Sequence, residues 1–517
     1  MKKNFSKTVV IVMAITLFAR IFGLLREILI ARYYGTSIYT DAYIIANNIP
    51  TVLFDTLGQA LLTSFIPMYS RICHEVDEKR ANIFTVRLII YLMFICLAFT
   101  IMGEVFAKEL VWIFASGFKG EALNVTIQFT RILFPSIFAM TLLNLFTGYL
   151  QIYDKFEMAS VVTVIGNIII IFALWISNFV HNVYIFVWGS LVGIFFQVIF
   201  LIPSVIKIGL FNNRKRGSIF QRDRYVKMLL PLLIPVFIGS ALNEINSIID
   251  RTMVSGIGTG AVSTLNYAYK VISLTISVIA LPLITIMYPQ LSVFAAENDE
   301  NNFENCVYKC VNYIMAIIVP ISVVVYIYRN YIIKILFERG SFNSTATTET
   351  AQVLACYALG LTAMAIQQIL IRVFYSKQNT FTPMVNGIIC AIVNIGLDYI
   401  LIKKCGFSGA ALATSIVAII ACIILILLLA VKKIVSIKKI VLILIKNFVS
   451  GIVMLLFLIC GSNKLVNIDV LNLKNILIVL VLTVMAIIIY LLMQIITKNN
   501  EVTHELCKLL KTWRSEK

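Results

Sequence analysis

The first apolar segment of the chain carries Arg20, Arg26, Glu27 and Arg32 where a lipid-spanning helix would carry no charge. A charge at mid-helix costs roughly 2.5–3.5 kcal/mol on an insertion scale, so a segment keeping several faces a cavity or a partner. Arg32 is near the far end and can snorkel, whereas Arg20, a dozen residues in, would lie roughly 18 Å deep at about 1.5 Å per residue. A further cation, Lys270, lies about eight residues, roughly 12 Å, from the end of its own apolar segment, and Arg26 lies at about the same depth in the first. Arg20, Arg26 and Lys270 would together make a site for an anion, and the planar arginine fork suits phosphate. The alternative is that these cations are paired with Glu27, Asp41 or Asp55. Arg20 and Arg26 are also about 120° apart on an ideal helix. They share one cavity only if it is wide or if the helix bends, as Gly23 would allow.

A second constellation is rich in oxygen. Asn394 and Asp398 are one turn apart, Thr414 is about six residues into the next apolar segment, and Asp250 lies about six residues below the end of an earlier one. All four would sit roughly 6–12 Å below the same membrane face. Hard oxygen ligands with one or two carboxylates suit Na⁺ or a proton. The alternative is that Asp250 pairs with Arg251 or Lys270. Glu244 and Arg372 are further intramembrane charges with no assigned role. The ten cysteines are scattered singly through apolar segments, apart from Cys306 and Cys310, and read as small packing residues. No Walker A, HExxH or GxSxG motif occurs and the loops are short, so a soluble catalytic domain and a cofactor are not expected.

The elements that must hold these residues follow from composition. The chain has 517 residues, 60% hydrophobic and only 13% charged, with a net charge of +18, and its mean hydropathy is +0.95. Soluble domains average about 25% charged residues, so the chain belongs in a bilayer. Apolar stretches able to cross about 30 Å of hydrocarbon fall near 8–34, 41–72, 82–107, 122–152, 158–180, 183–207, 225–256, 262–292, 306–328, 347–376, 381–402, 408–431, 440–461 and 475–498. These fourteen are predicted to be helices, because runs this long and continuously apolar are not barrel strands. The fold class is all-α and polytopic. The N-terminal lysines precede a run too long and too charged for a cleaved signal, so it reads as a retained span.

An even number of spans places both termini on one side. The loops on that side hold Arg71, Lys79, Arg80, the cluster from Arg214 to Lys227, Lys432, Lys433, Lys438, Lys439 and a basic tail, whereas the opposite loops hold few cations. The positive-inside rule makes both termini cytoplasmic. Most of the +18 is therefore topology and requires no nucleic-acid partner.

Two motifs recur. Pro67-x-x-Ser70 with Glu75, Asp77 and Glu78 returns as Pro289-x-x-Ser292 with Glu297, Asp299 and Glu300, and Tyr153-x-Lys155 returns as Tyr375-x-Lys377, all offset by 222 residues. The chain is accordingly divided into a first six-helix lobe (1–210), a basic cytoplasmic linker (211–224), a second six-helix lobe (225–431), two C-terminal spans (432–498) and a cytoplasmic tail (499–517). Parallel six-helix repeats are the architecture of transporters that rock two lobes around a central site.

The stretch Ala19-Arg20-Ile21-Phe22-Gly23-Leu24-Leu25-Arg26-Glu27, with Ala31-Arg32-Tyr33-Tyr34-Gly35, Thr40-Asp41-Ala42-Tyr43 and Ile49-Pro50, resembles the start of the MurJ (MviN or MVF) family of bacterial lipid II flippases. That family belongs to the multidrug/oligosaccharidyl-lipid/polysaccharide exporter superfamily. Ile249-Asp250-Arg251, Leu265-Asn266-Tyr267-Ala268 and the Pro289 loop are similar to it as well. The resemblance covers essentially the whole chain, most specifically its first fifty residues. It implies a V-shaped pair of lobes around a cationic cavity, with the last two helices forming a groove for a polyprenyl tail. It also implies movement of an undecaprenyl-diphosphate-linked peptidoglycan precursor to the outer leaflet by alternating access.

By position the resemblance makes Arg20 and Arg26 substrate-binding, with Lys270 where the family usually has arginine, and Asp41 a residue of the outer gate. Asp250, Asn394, Asp398 and Thr414, with the Ala410 carbonyl, fall where some members bind Na⁺. Lys270 keeps the charge but loses the bidentate fork. Leu53 to Gln59 lacks an arginine that some members place in the cavity, and Gln59 stands for their glutamate.

The reading is a lipid II flippase of the bacterial cytoplasmic membrane. It is not an enzyme and is expected to act as a monomer, with membrane lipids and cell-wall synthesis proteins as candidate partners and Na⁺ as candidate coupling ion. The nearest alternative is a flippase for another polyprenyl-diphosphate glycan of capsule, teichoic or O-antigen type. A drug/cation antiporter would prefer an acidic cavity, a glycan polymerase would need catalytic acids in a larger outer loop, and a scaffold would leave the buried cations unexplained.

Overall fold

The computed structural model describes residues 2–211, 223–229, 231, 248–465, 472–497 and 499, without the side chains of the first thirteen residues, Leu53, Asp55, Thr56, Gln59, Thr63, Asn463, Lys464 and Leu465. Within them the fold is all-α. The first half runs α1 (Lys2–Tyr34), α2 (Ile38–Glu75), α3 (Glu78–Val105), α4 (Ala107–Phe114), α5 (Gly120–Leu133), α6 (Ser136–Ile152), α7 (Glu157–Val180) and α8 (Val183–Ile208). After the helical stretches 224–229 and 248–254 come α9 (Ala261–Thr275), a π-turn (Ile276–Ala280), α10 (Leu281–Ala296), α11 (Glu300–Ile327), α12 (Arg329–Phe337), α13 (Ser344–Ser376), α14 (Phe381–Cys405) and α15 (Phe407–Val431). The last two helices are α16 (Ile437–Leu465) and α17 (Leu473–Ile496).

Ten described helices are long and apolar enough to cross a membrane, or eleven when α5 and α6 count as one span bent by 44°. The first two expected spans, α1 and α2, and the partly described seventh complete the fourteen. Most of the basic linker, Glu244 and the C-terminal tail beyond 499 lie outside the described residues.

The 222-residue offset extends from motifs to whole elements. It relates α3 to α11 at both ends, and the starts of the short helices α4 and α12. These two short helices escaped the apolar-run reading because eight or nine residues are too few to span. On α4, Val111 and Phe114 are buried while Trp112 and Ile113 are exposed, the pattern of a helix lying along an interface. The halves differ where Pro135 interrupts the expected fourth span between α5 and α6. Its counterpart by offset is Tyr357, and there α13 runs unbroken. A proline removes a ladder hydrogen bond and crowds the preceding turn, which accounts for the bend.

The recurring motifs do the same work in each half. Asp77 caps α3 by accepting from the Arg80 N–H at 2.6 Å, and Asp299 caps α11 by accepting from the Asn302 N–H at 3.1 Å. The Asp299 carboxyl is held below its ordinary range chiefly by that backbone N–H. One residue on, Glu78 accepts from the Tyr153 hydroxyl at 2.5 Å, and Glu300 accepts from Lys377 at 2.7 Å. The acidic motif of each half thus meets the Tyr-x-Lys motif of the same half, and this contact is what the shared offset encodes.

The chain gathers into two compact units, Met1–Ser263 with Arg339–Phe342, and Thr264–Glu338 with Asn343–Lys517. The core of the first is built on Phe65, Tyr69, Phe84 and Tyr149, all 1% exposed or less. Beside it, Arg80 and Arg87 of α3 pair with one oxygen of Asp223 at 2.9 and 3.0 Å, and the other oxygen accepts from the Tyr225 N–H at 3.0 Å. The Asp223 side chain has no exposure. Removing one partner of a buried ion pair costs about 3–5 kcal/mol because the other charge is left uncompensated. Asp223→Ala should therefore lower the thermal midpoint of the purified protein far more than Arg80→Ala, which leaves the Arg87 pair in place; equal shifts would show that the carboxylate is not the common anchor.

Candidate functional site

Five helices of the first unit surround a cavity of about 540 Å³. Arg20, Gly23 and Arg26 of α1 line it, together with polar residues that recur at helical spacing on the neighbours: Tyr43, Asn47 and Thr51 on α2, Ser160, Thr163 and Asn167 on α7, Ser190 and Gln197 on α8. The cavity is wide enough to take in both arginines despite their angular separation. Such a stripe of neutral polar side chains has no use toward lipid, and on α2 and α7 it repeats every three or four residues, the period of one helix face. That period was available in the sequence, but neutral polar residues cost less than charges in a span and so do not stand out as charges do.

The two arginines differ. Arg26 donates to Glu27 at 2.9 Å and to Asn167 at 3.1 Å, so its guanidinium is held in one orientation and its charge is compensated locally. The pairing with Glu27 foreseen as an alternative is thus present, and Arg26 still lines the cavity. Arg20 is half-buried and makes no hydrogen bond or ion pair with another described residue. Among the described residues the cavity therefore holds an unpaired cation, Arg20, beside an oriented Arg26–Glu27 pair, an arrangement that favours an anion. Tyr43 and Ser190 are joined at 3.1 Å across the wall.

Asp41 lies in the first turn of α2 and is 2% exposed. Its two oxygens accept from the Gly260 N–H at 2.6 Å and the Ser263 N–H at 2.7 Å. These are N–H groups at the start of α9 that no helical carbonyl satisfies, so Asp41 serves as a cap supplied from another helix. Gly260 has φ +87°, and a Cβ there would come within 2.8 Å of the Thr36 carbonyl oxygen; the approach requires glycine. A second cavity, of about 170 Å³, opens beside Asp41 against Lys119, Ser255 and Thr259.

In the second unit Lys270 is half-buried on α9. Asn394 and Asp398 are buried on α14, where the Asn394 amide donates to Asp398 at 2.7 Å, and the Thr414 hydroxyl of α15 donates to the Ala410 carbonyl at 3.0 Å. The two helices pack through Cys390, Val393 and Leu397 against Val417 and Ala421. A buried carboxylate with amide, hydroxyl and carbonyl oxygens on packed helices fits a hard monovalent cation by donor chemistry. Asp250 is buried in the first unit, and the other four residues of the expected set lie in the second. Arg372 donates to the Gln368 carbonyl at 3.2 Å, which gives that charge a local structural use.

Comparison with known proteins bears on this arrangement. The profile of the lipid II flippase MurJ family matches residues 30–479. A probable lipid II flippase MurJ of Buchnera aphidicola subsp. Schizaphis graminum is 28% identical over 418 residues, 80% of this chain and 81% of that protein. The lipid II flippase MurJ of Burkholderia cenocepacia is 26% identical over 80% of this chain and 81% of its own length. Among solved structures, a lipid II flippase MurJ in an inward closed conformation superposes with a TM-score of 0.80 at 27% identity, covering 95% of this chain and 99% of that one. An inward-facing multidrug resistance transporter of the MATE family shares the fold at a TM-score of 0.69 and 15% identity, over 82% of this chain and 97% of that one.

Proposed function

Because the chain belongs to the lipid II flippase MurJ family, we propose that it carries the undecaprenyl-diphosphate-linked peptidoglycan precursor from the inner to the outer leaflet of the bacterial cytoplasmic membrane, with both termini cytoplasmic. It is a transporter working by alternating access and converts no bond. The observation that carries the reading is Arg20, a cation lining the first-unit cavity without an anionic partner among the described residues. A diphosphate supplies that partner, while Arg26, fixed by Glu27 and Asn167, offers a guanidinium already oriented. Preorganisation of this kind reduces the side-chain ordering lost on binding.

Lys270, a cation of the second unit, is proposed to bind the substrate as well. It contributes a compact charge rather than a fork, so Lys270→Arg should preserve transport and Lys270→Ala should impair it less than loss of either arginine. Asn394, Asp398, Thr414 and the Ala410 carbonyl of the second unit are the residues that would hold Na⁺, whose entry would supply the driving force. In this reading the last two helices, α16 and α17, accommodate the polyprenyl tail.

The deciding experiment is an outer-leaflet accessibility assay for lipid II in cells depleted of this protein and lacking any other flippase. Accessibility should fall to background and return on re-expression. Unchanged accessibility would overturn the proposal, and restored accessibility only for a different polyprenyl-diphosphate glycan would assign the transport to that glycan instead.

A further inference from the structure

We infer that Asn47 and Gln197 form a carboxamide subsite, adjoining the arginines, that reads the N-acetyl and hydroxyl groups of the sugar next to the diphosphate. The inference rests on the transport reading above and adds to it a specificity-determining role for two neutral residues.

Most of the polar lining is already engaged within the protein. Arg26 bonds Glu27 and Asn167, Tyr43 bonds Ser190, Ser160 bonds the Thr16 hydroxyl at 2.9 Å, and the Thr51 and Thr163 hydroxyls bond carbonyls of their own helices at 2.7 and 3.3 Å. The side-chain amides of Asn47 and Gln197 are different. Both line the cavity, both are half-buried, and neither has a hydrogen-bond partner among the described residues. A carboxamide inside a span without a partner is costly unless water or a ligand occupies it.

The backbone also makes room for one of them. A Cβ on Gly166 would lie 2.0 Å from Gln197 Nε2 and 2.7 Å from its Cδ, so the amide of α8 occupies the space beside the glycine of α7 that a side chain would fill. Glycine at 166 holds this amide against the cavity wall.

The chemistry separates the two subsites. Ionised phosphate offers acceptors only and is served by guanidinium donors. A carboxamide presents an acceptor together with two donors, the complement of an N-acetyl group with its N–H and C=O, and of sugar hydroxyls. A cavity of this volume is in the range that encloses a small polar headgroup, about 300–1,000 Å³. Binding sites with buried polar groups discriminate strongly against ligands that leave those groups unpaired.

The test uses the full chain in nanodiscs and two probes, lipid II and undecaprenyl diphosphate, with binding read by native mass spectrometry. Gln197→Leu and Gly166→Ala should each lower affinity for lipid II about tenfold, as expected for one or two neutral hydrogen bonds, and leave undecaprenyl diphosphate within about twofold. Arg20→Gln should weaken both lipids. Because the Gly166→Ala clash falls on the far end of a flexible side chain, that variant should fold, and its effect should vanish in a Gln197→Ala background. If both variants weaken the two lipids equally, or neither lipid, the subsite is wrong while the diphosphate reading stands. Wild-type protein that binds neither probe would instead remove the transport reading beneath it.

Discussion

Arg26→Glu should abolish transport outright. The substitution places a second carboxylate beside Glu27 at a position where the guanidinium now donates to Glu27 and Asn167, and like charges in a poorly solvated site repel. It also reverses the charge that α1 presents to the cavity beside Arg20, so an anionic headgroup meets an acidic group. Hydrogen bonds to charged groups contribute about 1.5–3 kcal/mol each, so even neutral Arg26→Gln should weaken substrate binding by roughly ten- to a hundredfold. Arg26→Lys keeps the charge but cannot bridge Glu27 and Asn167 in the same fork, and should retain partial activity. The measurement is growth in a strain depleted of its own flippase, with membrane levels and thermal midpoint of each variant followed in parallel. Growth supported by well-folded Arg26→Glu would end the cationic-cavity account. Arg20→Glu is the companion: Arg20 bonds no described residue, so its reversal should spare the fold and still stop transport.

How far these residues could be read from the chain depends on the cost of placing them in lipid. Charges are expensive there, so Arg20 and Arg26 stand out in the first span, and both line one cavity, whereas Asp41 is singled out only by the family resemblance. The repeat was legible because its motifs perform capping and pairing, chemistry that needs particular residue types at particular offsets, as Asp77 and Asp299 show. Asn47 and Gln197 were not legible, since a neutral amide in a span looks the same whether it faces a cavity, a neighbouring helix or lipid. The joint use of Asp223 by Arg80 and Arg87 joins residues more than 130 positions apart, a pairing that only the packing of α3 against the end of the linker can supply. The short helices α4 and α12 were missed for a different reason. Their amphipathic pattern is too brief to separate from the end of the preceding span.

The second large effect should come from Asp41, a residue of the outer gate by family resemblance. Asp41→Ala leaves the Gly260 and Ser263 N–H groups without their acceptor. An unsatisfied buried donor costs about 1–3 kcal/mol, and loss of an anion at a helix N-terminus a further fraction of a kcal/mol to about 2. The adjoining 170 Å³ cavity is lined by Asp41 itself, so water can enter the space its carboxylate leaves, and the net destabilisation of this contact should be about 2 kcal/mol. That corresponds to roughly a thirtyfold shift toward the undocked state of the α9 start. Asp41→Asn keeps one acceptor but presents its NH₂ to the other donor, and should fall between wild type and alanine. The readout is labelling of Thr264→Cys, buried in the first turn of α9, in a chain stripped of its native cysteines, by a membrane-impermeant maleimide. Labelling should quicken severalfold in Asp41→Asn and by more than tenfold in Asp41→Ala, with transport lost in the latter because the gate no longer holds closed. Were Thr264→Cys to label at the wild-type rate in Asp41→Ala while transport still failed, Asp41 would act on the substrate directly and the cap would be incidental. Were both rate and transport unchanged, the cap would have no part in gating.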